Sequence, residues 1–157
     1  MGLLLVSEDA DGFFLLTENI ELIKDFPSPV ILTPNKIEFE RLFKESYETS
    51  SGLQNLGRNL IIIRKGKTDE VINNSPEVQW KSNVSGSGRR CGGQGDILSG
   101  SIATFLHWIL EQKNYLNIGI DVNKNLIASS LACYAGSALV GKCNENAFKC
   151  SREMWIK

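Results

Sequence analysis

The chain has 157 residues, of which 42% are hydrophobic and 22% are charged, and its formal net charge is −1. This is the composition of a globular domain, and the length is sufficient for one hydrophobic core. The near-neutral charge gives no electrostatic basis for a nucleic-acid partner or a membrane surface. No apolar run approaches the ~20 residues needed to cross a bilayer, so we expect neither of these partners.

The cysteines indicate a reducing environment. None of the four belongs to a C-x-x-C pair, which argues against a zinc site or a disulfide framework and favours an intracellular setting. They are Cys91, Cys133, Cys143 and Cys150. The apolar run Leu3–Val6 is too short for a signal peptide. With no targeting segment visible we expect a cytoplasmic or mitochondrial protein, and the sequence is compatible with a homo-oligomer.

The first half of the chain alternates short apolar runs with polar turns. Its predicted elements, in chain order, are apolar runs at Leu3–Val6 and Phe13–Leu16 around an acidic turn at Asp9–Gly12, a short helix at Ile20–Asp25, a buried strand at Pro29–Thr33 and a helix at Glu38–Phe43. The strand prediction rests on a run of apolar residues that ends at a proline and an asparagine, both of which favour turns.

The second half opens with the strongest strand signal. Leu60–Ile63 is a continuous apolar run rich in β-branched residues, which is typical of a strand buried on both faces. The elements predicted after it are a turn at Lys65–Asp69, a hairpin of Glu70–Asn73 and Val78–Lys81 around a turn at Asn73–Pro76, a helix at Ile97–Gln112 and a last helix at Asn125–Val140. The first of these helices has apolar residues at helical spacing, and the last is rich in alanine, serine and glycine, so it can pack closely on its neighbours.

Strands that alternate with helices, plus one hairpin arm, predict an α/β fold with a mostly parallel sheet flanked by helices. In such sheets ligands bind beyond the carboxyl ends of the strands. Three polar segments follow strand signals and should lie there: Thr33–Asn35, Arg64–Asp69 and a glycine-rich loop at Gly86–Asp96. The sequence therefore predicts a ligand site at this edge.

The glycine-rich loop has the chemistry of a phosphate site. Gly86, Gly88, Gly92, Gly93 and Gly95 allow the backbone to approach a ligand closely. A helix follows at once, so its free N–H groups and the positive end of its dipole favour an anion. The acid at the end of the loop, Asp96, would be repelled by a phosphate, so we expect it to have a chemical task. That task is to accept the proton of a hydroxyl that attacks phosphorus.

The alternative is a tight turn in which Asp96 merely caps the helix. Arg89 and Arg90 favour the phosphate site, since arginine binds phosphate in a bidentate manner. Two familiar phosphate motifs are excluded. A P-loop ending at Gly66–Thr68 would need glycine at Ile61, and a dinucleotide fingerprint would need glycine at Cys91, or glycine or alanine at Leu98.

The motifs resemble a known family. Gly93–Asp96 matches the G-x-G-D signature of the ribokinase-like superfamily, and Asn35–Glu38 matches its N-x-x-E motif. The longer strings Leu32–Leu42 and Arg89–Ser101, together with Lys65–Gly66, are similar to the eukaryotic ATP-dependent NAD(P)H-hydrate dehydratases. The resemblance extends from about Leu3 to Phe148.

This resemblance implies repair of NADH and NADPH that have taken up water. The family dehydrates the S-form of the hydrate, using ATP and Mg²⁺, and releases NADH or NADPH, ADP and phosphate. By the family pattern Asp96 is the catalytic base, and Gly93 and Gly95 hold the transferring phosphoryl group. Asn35 and Glu38 would organise Mg²⁺, directly or through water.

The resemblance also implies two binding surfaces. The hydrate side comprises Asn35, Lys36, Ile37, Glu38, Phe39, Glu40, Arg41 and Asp96. The ATP side comprises Lys65, Gly66, Lys67, Thr68, Asp69, Gly86, Ser87, Gly88, Arg89, Arg90, Cys91, Gly92, Gly93, Gln94 and Gly95.

The chain departs from the family pattern at both ends. It begins about where the second half of the family fold should begin, so we expect an incomplete ribokinase-like fold over residues 1–148 and the slow turnover of a truncated product. The segment Lys149–Lys157 does not resemble the family and is expected to be a divergent tail. Two other functions stay open: a ribokinase-like small-molecule kinase, and an inactive nucleotide-binding fragment.

Overall fold

The computed structural model describes residues 4–6, 10–24, 26–43, 57, 59–75, 78–84, 92–112 and 123–155; for 4–6, 10–13 and 152–155 it describes the backbone alone. The strands are β1 (Leu4–Val6), β2 (Val30–Leu32), β3 (Leu60–Arg64), β4 (Asp69–Asn73) and β5 (Trp80–Ser82). The helices are α1 (Ala10–Glu18), α2 (Glu21–Lys24), α3 (Lys36–Phe43), α4 (Gln94–Glu111) and α5 (Lys124–Trp155).

The five strands form one sheet in the order β1-β2-β3-β4-β5. β1 pairs parallel with β2, and β2 pairs parallel with β3. β4 then folds back antiparallel on β3, and β5 folds back antiparallel on β4. The predicted α/β fold with a hairpin arm is therefore confirmed. β1, β2 and β3 pair in parallel, and β4 and β5 form the antiparallel hairpin arm.

Helices cover both faces of the sheet, which explains why β2 and the first four residues of β3 are apolar. Side chains of a strand alternate between the faces. Leu60 and Ile62 of β3 pack with residues of α1, α2 and α3 on one face. Ile61 and Ile63 pack with residues of α4 and α5 on the other. A strand buried on both faces has no position at which a polar side chain is favoured.

Helix α5 is the longest element, with 32 residues. Small residues bring it close to its neighbours: a Cβ atom added at Gly136 would lie 2.8 Å from Cγ1 of Ile102 on α4. Residues 124–151 are, by length and composition alone, long and apolar enough to cross a membrane. Half of the tested window is buried inside the fold, and core helices of soluble proteins pass the same test.

The helix predicted at Glu38–Phe43 starts at Lys36, and the strand predicted at Val78–Lys81 covers Trp80–Ser82. Larger differences from the predicted boundaries occur in three other places. Phe13–Leu16 belongs to helix α1, which starts at Ala10 where an acidic turn was expected, and Leu16 packs on the sheet. Helix α4 begins three residues before Ile97, because Gly93 turns the chain there. Helix α5 continues past Val140, where ion pairs one turn apart, Lys142–Glu145 and Lys149–Glu145, support it.

Candidate active site

The topology places two of the three predicted polar segments at one edge of the sheet. Thr33–Asn35 follows β2, and Arg64–Asp69 spans the end of β3 and the start of β4. Two antiparallel steps return β5 to the direction of β3, and Ser82 at the end of β5 pairs with Asp69 at the start of β4. β5 therefore ends at the same edge. The third predicted segment, the glycine-rich loop, lies outside the described residues over 85–91, and its place at this edge stays a prediction.

The start of α4 presents backbone donors without a side-chain cap. The N-cap residue is Gly93, whose φ of 82° lies in the left-handed region that glycine adopts without strain. No side chain of the described residues hydrogen-bonds to this helix end. A Cβ atom added at Gly92 or Gly93 would meet no atom of the described residues within 4 Å. Gly92 and Gly93 are exposed, whereas Gly95, which was predicted to hold the phosphoryl group, is buried. The absence of a side-chain cap is what makes this helix start compatible with an anion site.

Asp96 lies in the first turn of α4, exposed to solvent. The cap position belongs to Gly93, so the alternative interpretation of Asp96 as the helix cap is wrong. The helix dipole favours an ionised carboxylate at this position. Ser99 donates a hydrogen bond of 2.9 Å to the carbonyl oxygen of Gly95 one turn earlier, which fixes the peptide that precedes Asp96.

The N-x-x-E motif forms the start of α3. The side-chain oxygen of Asn35 accepts hydrogen bonds from the backbone N–H groups of Ile37 and Glu38, at 2.9 Å and 3.0 Å. Oε2 of Glu38 accepts the backbone N–H of Asn35 at 2.8 Å. This reciprocal arrangement is a capping box, and it satisfies donors that a helix end leaves free. It orients the Glu38 carboxylate towards the helix start.

The metal prediction for Asn35 and Glu38 can be compared with this geometry. The Asn35 oxygen already accepts two N–H groups, whereas Oε1 of Glu38 has no hydrogen bond within the described residues. Among those residues no group of three or more His, Cys, Asp or Glu side chains is assembled. Mg²⁺ commonly uses one or two carboxylates with waters and substrate phosphates. Glu38 therefore fits such a role, while Asn35 fits the role of holding it.

The turn between β3 and β4 is closed by Asp69. Its Oδ1 accepts the backbone N–H of Gly66 at 2.9 Å, and its Oδ2 accepts the hydroxyl of Ser137 on α5 at 2.7 Å. The three residues at the tip of the turn, Gly66, Lys67 and Thr68, are exposed to solvent. The turn is therefore open to solvent at its tip and tied to the fold at its base.

Arg64, at the end of β3, connects the two predicted binding surfaces. Its guanidinium lies 5.9 Å from the centre of the Phe39 ring on α3 and forms an ion pair with Glu70 on β4. Lys81 on β5 pairs with the same Glu70 carboxylate at 3.0 Å. Burial alone would raise the pKa of Glu70, but hydrogen bonds from Lys81 and Arg64 and their positive charges hold that pKa below its ordinary value.

The predicted site residues differ in where the structure places them: some are exposed, some are buried, and some lie outside the described residues. Phe39 is buried in the core against Phe43, with ring centres 4.5 Å apart, rather than exposed at the edge. Its predicted neighbours Lys36, Ile37, Glu40 and Arg41 are exposed on α3. Six predicted ATP-side residues lie outside the described residues: Gly86, Ser87, Gly88, Arg89, Arg90 and Cys91.

Sequence reasoning placed Arg64 in a polar segment at the sheet edge but gave it no partners, and it assigned no site role to Glu70 or Ser137. Ser137 pairs with a residue 68 positions away, which no local pattern reveals. The one available signal was its place in a helix rich in small residues, where a buried hydroxyl needs a partner.

Comparison with known proteins gives concordant matches. The family model described as NAD(P)H-hydrate dehydratase matches residues 4–151. Proteins named ATP-dependent (S)-NAD(P)H-hydrate dehydratase are similar to the chain: 43% identical over 142 residues in Aedes aegypti, and 38% identical over 150 residues in Pediculus humanus subsp. corporis. Each alignment covers 90% of this chain but only 40% and 48% of those relatives. The chain thus spans less than half their length.

A solved structure supports the fold. The crystal structure of a hypothetical protein from Streptococcus mutans superimposes with a TM-score of 0.52 at 17% sequence identity, covering 97% of this chain and 66% of that one. At this identity the likeness concerns the fold alone. Together with the family match, it supports the expected partial ribokinase-like α/β architecture.

Proposed function

Because the chain belongs to the NAD(P)H-hydrate dehydratase family, we propose that it acts on the S-form of hydrated NADH and NADPH, with ATP as co-substrate. The products are the reduced nicotinamide nucleotide, ADP and phosphate. The observation that carries this proposal is the start of α4, where an exposed carboxylate, Asp96, stands in the same turn as uncapped backbone donors.

The chemistry explains why both features are needed. Hydroxide is a poor leaving group, and phosphorylation turns the hydroxyl of the hydrate into a good one. Asp96 would accept the proton of that hydroxyl while its oxygen attacks the terminal phosphorus of ATP. The N–H groups after Gly93 would hold the negative charge of the transferring group. The C–O bond to phosphate then breaks, the adjacent ring carbon loses a proton to solvent, and the ring double bond is restored.

The ATP side also includes the turn between β3 and β4. Lys65 and Lys67 supply positive charge at the sheet edge, and Lys67 is exposed. The glycine-rich loop, with Arg89 and Arg90, is assigned to ATP by the family pattern alone. Bound Mg²⁺ would reduce the repulsion between the phosphate charges, and Glu38 would hold it through Oε1, directly or through water.

The hydrate side is assigned to the exposed face of α3. The capping box fixes the start of this helix, and Arg64 over the Phe39 ring fixes its position relative to β3. Lys36 and Arg41 are exposed cations on α3 and suit the phosphates of a dinucleotide. These exposed cations support the assignment of the dinucleotide substrate to α3.

An assay of both products separates this function from the kinase alternative. The chain is incubated with the S-hydrate of NADH, with and without ATP, while ADP and NADH are measured. A dehydratase produces the two in equal amounts. A kinase of the same superfamily, given its own alcohol substrate, produces ADP and a stable phosphate ester and leaves the hydrate unchanged. ADP without NADH would contradict the proposal.

A second candidate is a nucleotide-binding protein without turnover, for which the start of α4, uncapped by any side chain of the described residues, would suffice. Calorimetric titration with ATP distinguishes it from the dehydratase. Binding of ATP together with no NADH in the product assay would support this second function. Neither binding nor product would exclude both.

A further inference from the structure

We propose that Asp69 and Ser137 are positioning residues for nucleotide binding: together they form a latch that holds the β3–β4 turn against α5. This inference rests on the proposed ATP role of the turn. It differs from the family pattern in one respect, because that pattern assigns Asp69 to ATP itself. The structure assigns it to the turn instead.

The hydrogen bonds of Asp69 carry the first step. Each of its carboxylate oxygens accepts a donor of the protein, Gly66 N–H at 2.9 Å on one side and the Ser137 hydroxyl at 2.7 Å on the other. The first bond closes the turn and the second ties it to α5. One side chain therefore fixes both the shape of the turn and its position.

Electrostatics carries the second step. A carboxylate that faced the phosphates of ATP would repel them, so direct contact with the triphosphate is unfavourable. The two donors from the protein, Gly66 N–H and the Ser137 hydroxyl, stabilise the negative charge of the Asp69 carboxylate in its observed position. Ser137 is only 3% exposed, and a buried hydroxyl is destabilising unless it is bonded. The hydrogen bond between Asp69 and Ser137 thus gives the buried hydroxyl an acceptor and the carboxylate a donor.

The same helix offers a matched control. Ser130 on α5 is also buried and accepts a hydrogen bond of 2.9 Å from the side chain of Asn73. Asn73 is the last residue of β4 and Asp69 is the first, so the two serines bond to opposite ends of one strand. Each serine-to-alanine change removes one buried hydrogen bond between α5 and β4, but only Ser137→Ala releases the turn.

Limited proteolysis tests the latch without any ligand. Trypsin can cleave after Lys67, whose bond to Thr68 lies at the exposed tip of the turn. We expect Ser137→Ala to be cleaved there about tenfold faster than the unmodified chain, and Ser130→Ala to remain within about twofold of it. Unfolding midpoints of both variants verify that they fold. Equal cleavage rates in the two variants would overturn the latch.

ATP titration tests its role. We expect Ser137→Ala to weaken ATP binding about fivefold to tenfold, as the loss of one hydrogen bond implies, and Ser130→Ala to bind as the unmodified chain does. Asp69→Asn can still accept the Gly66 N–H and can donate to Ser137, so it should recover most of the affinity that Asp69→Ala loses. If Asp69→Asn binds as weakly as Asp69→Ala, the charge itself contacts the ligand and the proposal is wrong.

The two experiments separate this inference from the proposed function. A chain that binds no ATP contradicts the proposed function, yet the cleavage rates at Lys67 still decide whether the latch exists. A chain that binds ATP equally well in all four variants supports the proposed function and overturns the positioning role.

Discussion

Gly93 adopts a left-handed backbone conformation, and this single residue determines what the start of α4 can bind. Any other residue at φ 82° would be strained. A side chain with an oxygen, such as serine or aspartate, would also cap the helix and occupy its donors. Glycine is not strained here and has no side chain to cap the helix. The N–H groups of the first turn therefore remain available to bind an anion, and the Asp96 carboxylate remains available to accept a proton.

Changing Asp96 tests its assignment as the base. We expect Asp96→Asn to lower the rate of hydrate turnover by about 10²- to 10⁴-fold, the usual contribution of a positioned base. ATP affinity should change little or increase, because a negative charge near the phosphates has been removed. Single-turnover kinetics and calorimetry measure the two quantities.

The control for this change is Glu111→Gln, which removes an exposed carboxylate at the opposite end of the same helix. It should leave turnover unchanged and slightly stabilise the protein, since an acid at a helix C-terminus opposes the dipole. Near-normal turnover in Asp96→Asn would show that another group accepts the proton.

Glu38 caps helix α3, and we propose that it also holds Mg²⁺; one pair of substitutions separates these two roles. Glu38→Gln keeps an oxygen that can accept the Asn35 N–H, so the capping box survives, but the charge needed for Mg²⁺ is lost. We expect this variant to need more Mg²⁺ for half-maximal rate, with an unfolding temperature close to that of the unmodified protein.

The partner change is Asn35→Ala, which removes the acceptor of two N–H groups and should lower the free energy of unfolding by about 1 kcal/mol. Asn35→Asp, a good cap, should restore it. An unchanged Mg²⁺ titration in Glu38→Gln would remove Glu38 from the metal site and leave it as a capping residue only.

At the scale of elements, the fold depends on how closely α5 approaches its neighbours. A Cβ atom at Gly141 would collide with the backbone oxygen of Val84, just after β5. A backbone atom cannot turn aside as a side chain can, so we expect Gly141→Ala to destabilise the protein by about 1–3 kcal/mol.

The matched control is Gly100→Ala on α4, where an added Cβ meets nothing within 4 Å. Alanine is the better helix former, so this variant should be more stable by about 0.5–1 kcal/mol. Chemical denaturation of both variants measures the difference. The same sign for both would show that the contact between α5 and Val84 does not constrain the fold.

The hairpin arm should make stability depend on pH. The folded-state pKa of Glu70 is lowered, so its bridge between Arg64 and Lys81 stabilises the fold above about pH 4.5 and is lost as the pH falls through the lower folded value. We expect Glu70→Gln to reduce the free energy of unfolding by about 1–2 kcal/mol at neutral pH. The difference from the unmodified protein should shrink in acid.

Glu40→Gln is the control, because it removes an acid from an exposed ion pair with Lys36, at 3.9 Å, which contributes about 0–1 kcal/mol. Unfolding curves at several pH values provide the test. A gap between Glu70→Gln and the unmodified protein that persists undiminished well below pH 4 would show that the bridge does not titrate.

At the scale of the whole molecule, local sequence patterns predicted the strands of the sheet but not the side-chain contacts that hold the helices to it. The continuous apolar run Leu60–Ile63 predicted a doubly buried strand, and the hairpin arm followed from turn residues. The end of α5 and the bond between Asp69 and Ser137 depend on contacts between side chains that the pattern of apolar residues does not encode. The start of α4 depends on the backbone of one glycine.

Local sequence patterns likewise predicted some parts of the candidate site and not others. Asp96 and the N-x-x-E motif were found from sequence because their chemistry is local. The place of Arg64 at the sheet edge was predicted, but its contacts were not, because Phe39 and Glu70 lie on different elements and only folding brings them together. Phe39 shows the converse: it directly follows the motif and was predicted to bind the hydrate, yet the amphipathic pattern of α3 buries it.

The most direct test of the central claim is the regeneration of NADH from its S-hydrate, per mole of protein, by the 157-residue chain and by the relative from Aedes aegypti. We predict that the chain regenerates NADH only when ATP is present. The relative, which is named as an ATP-dependent enzyme, serves as the positive control. Regeneration without ATP, or none at any ATP concentration, would contradict the claim that these residues form a hydrate dehydratase site.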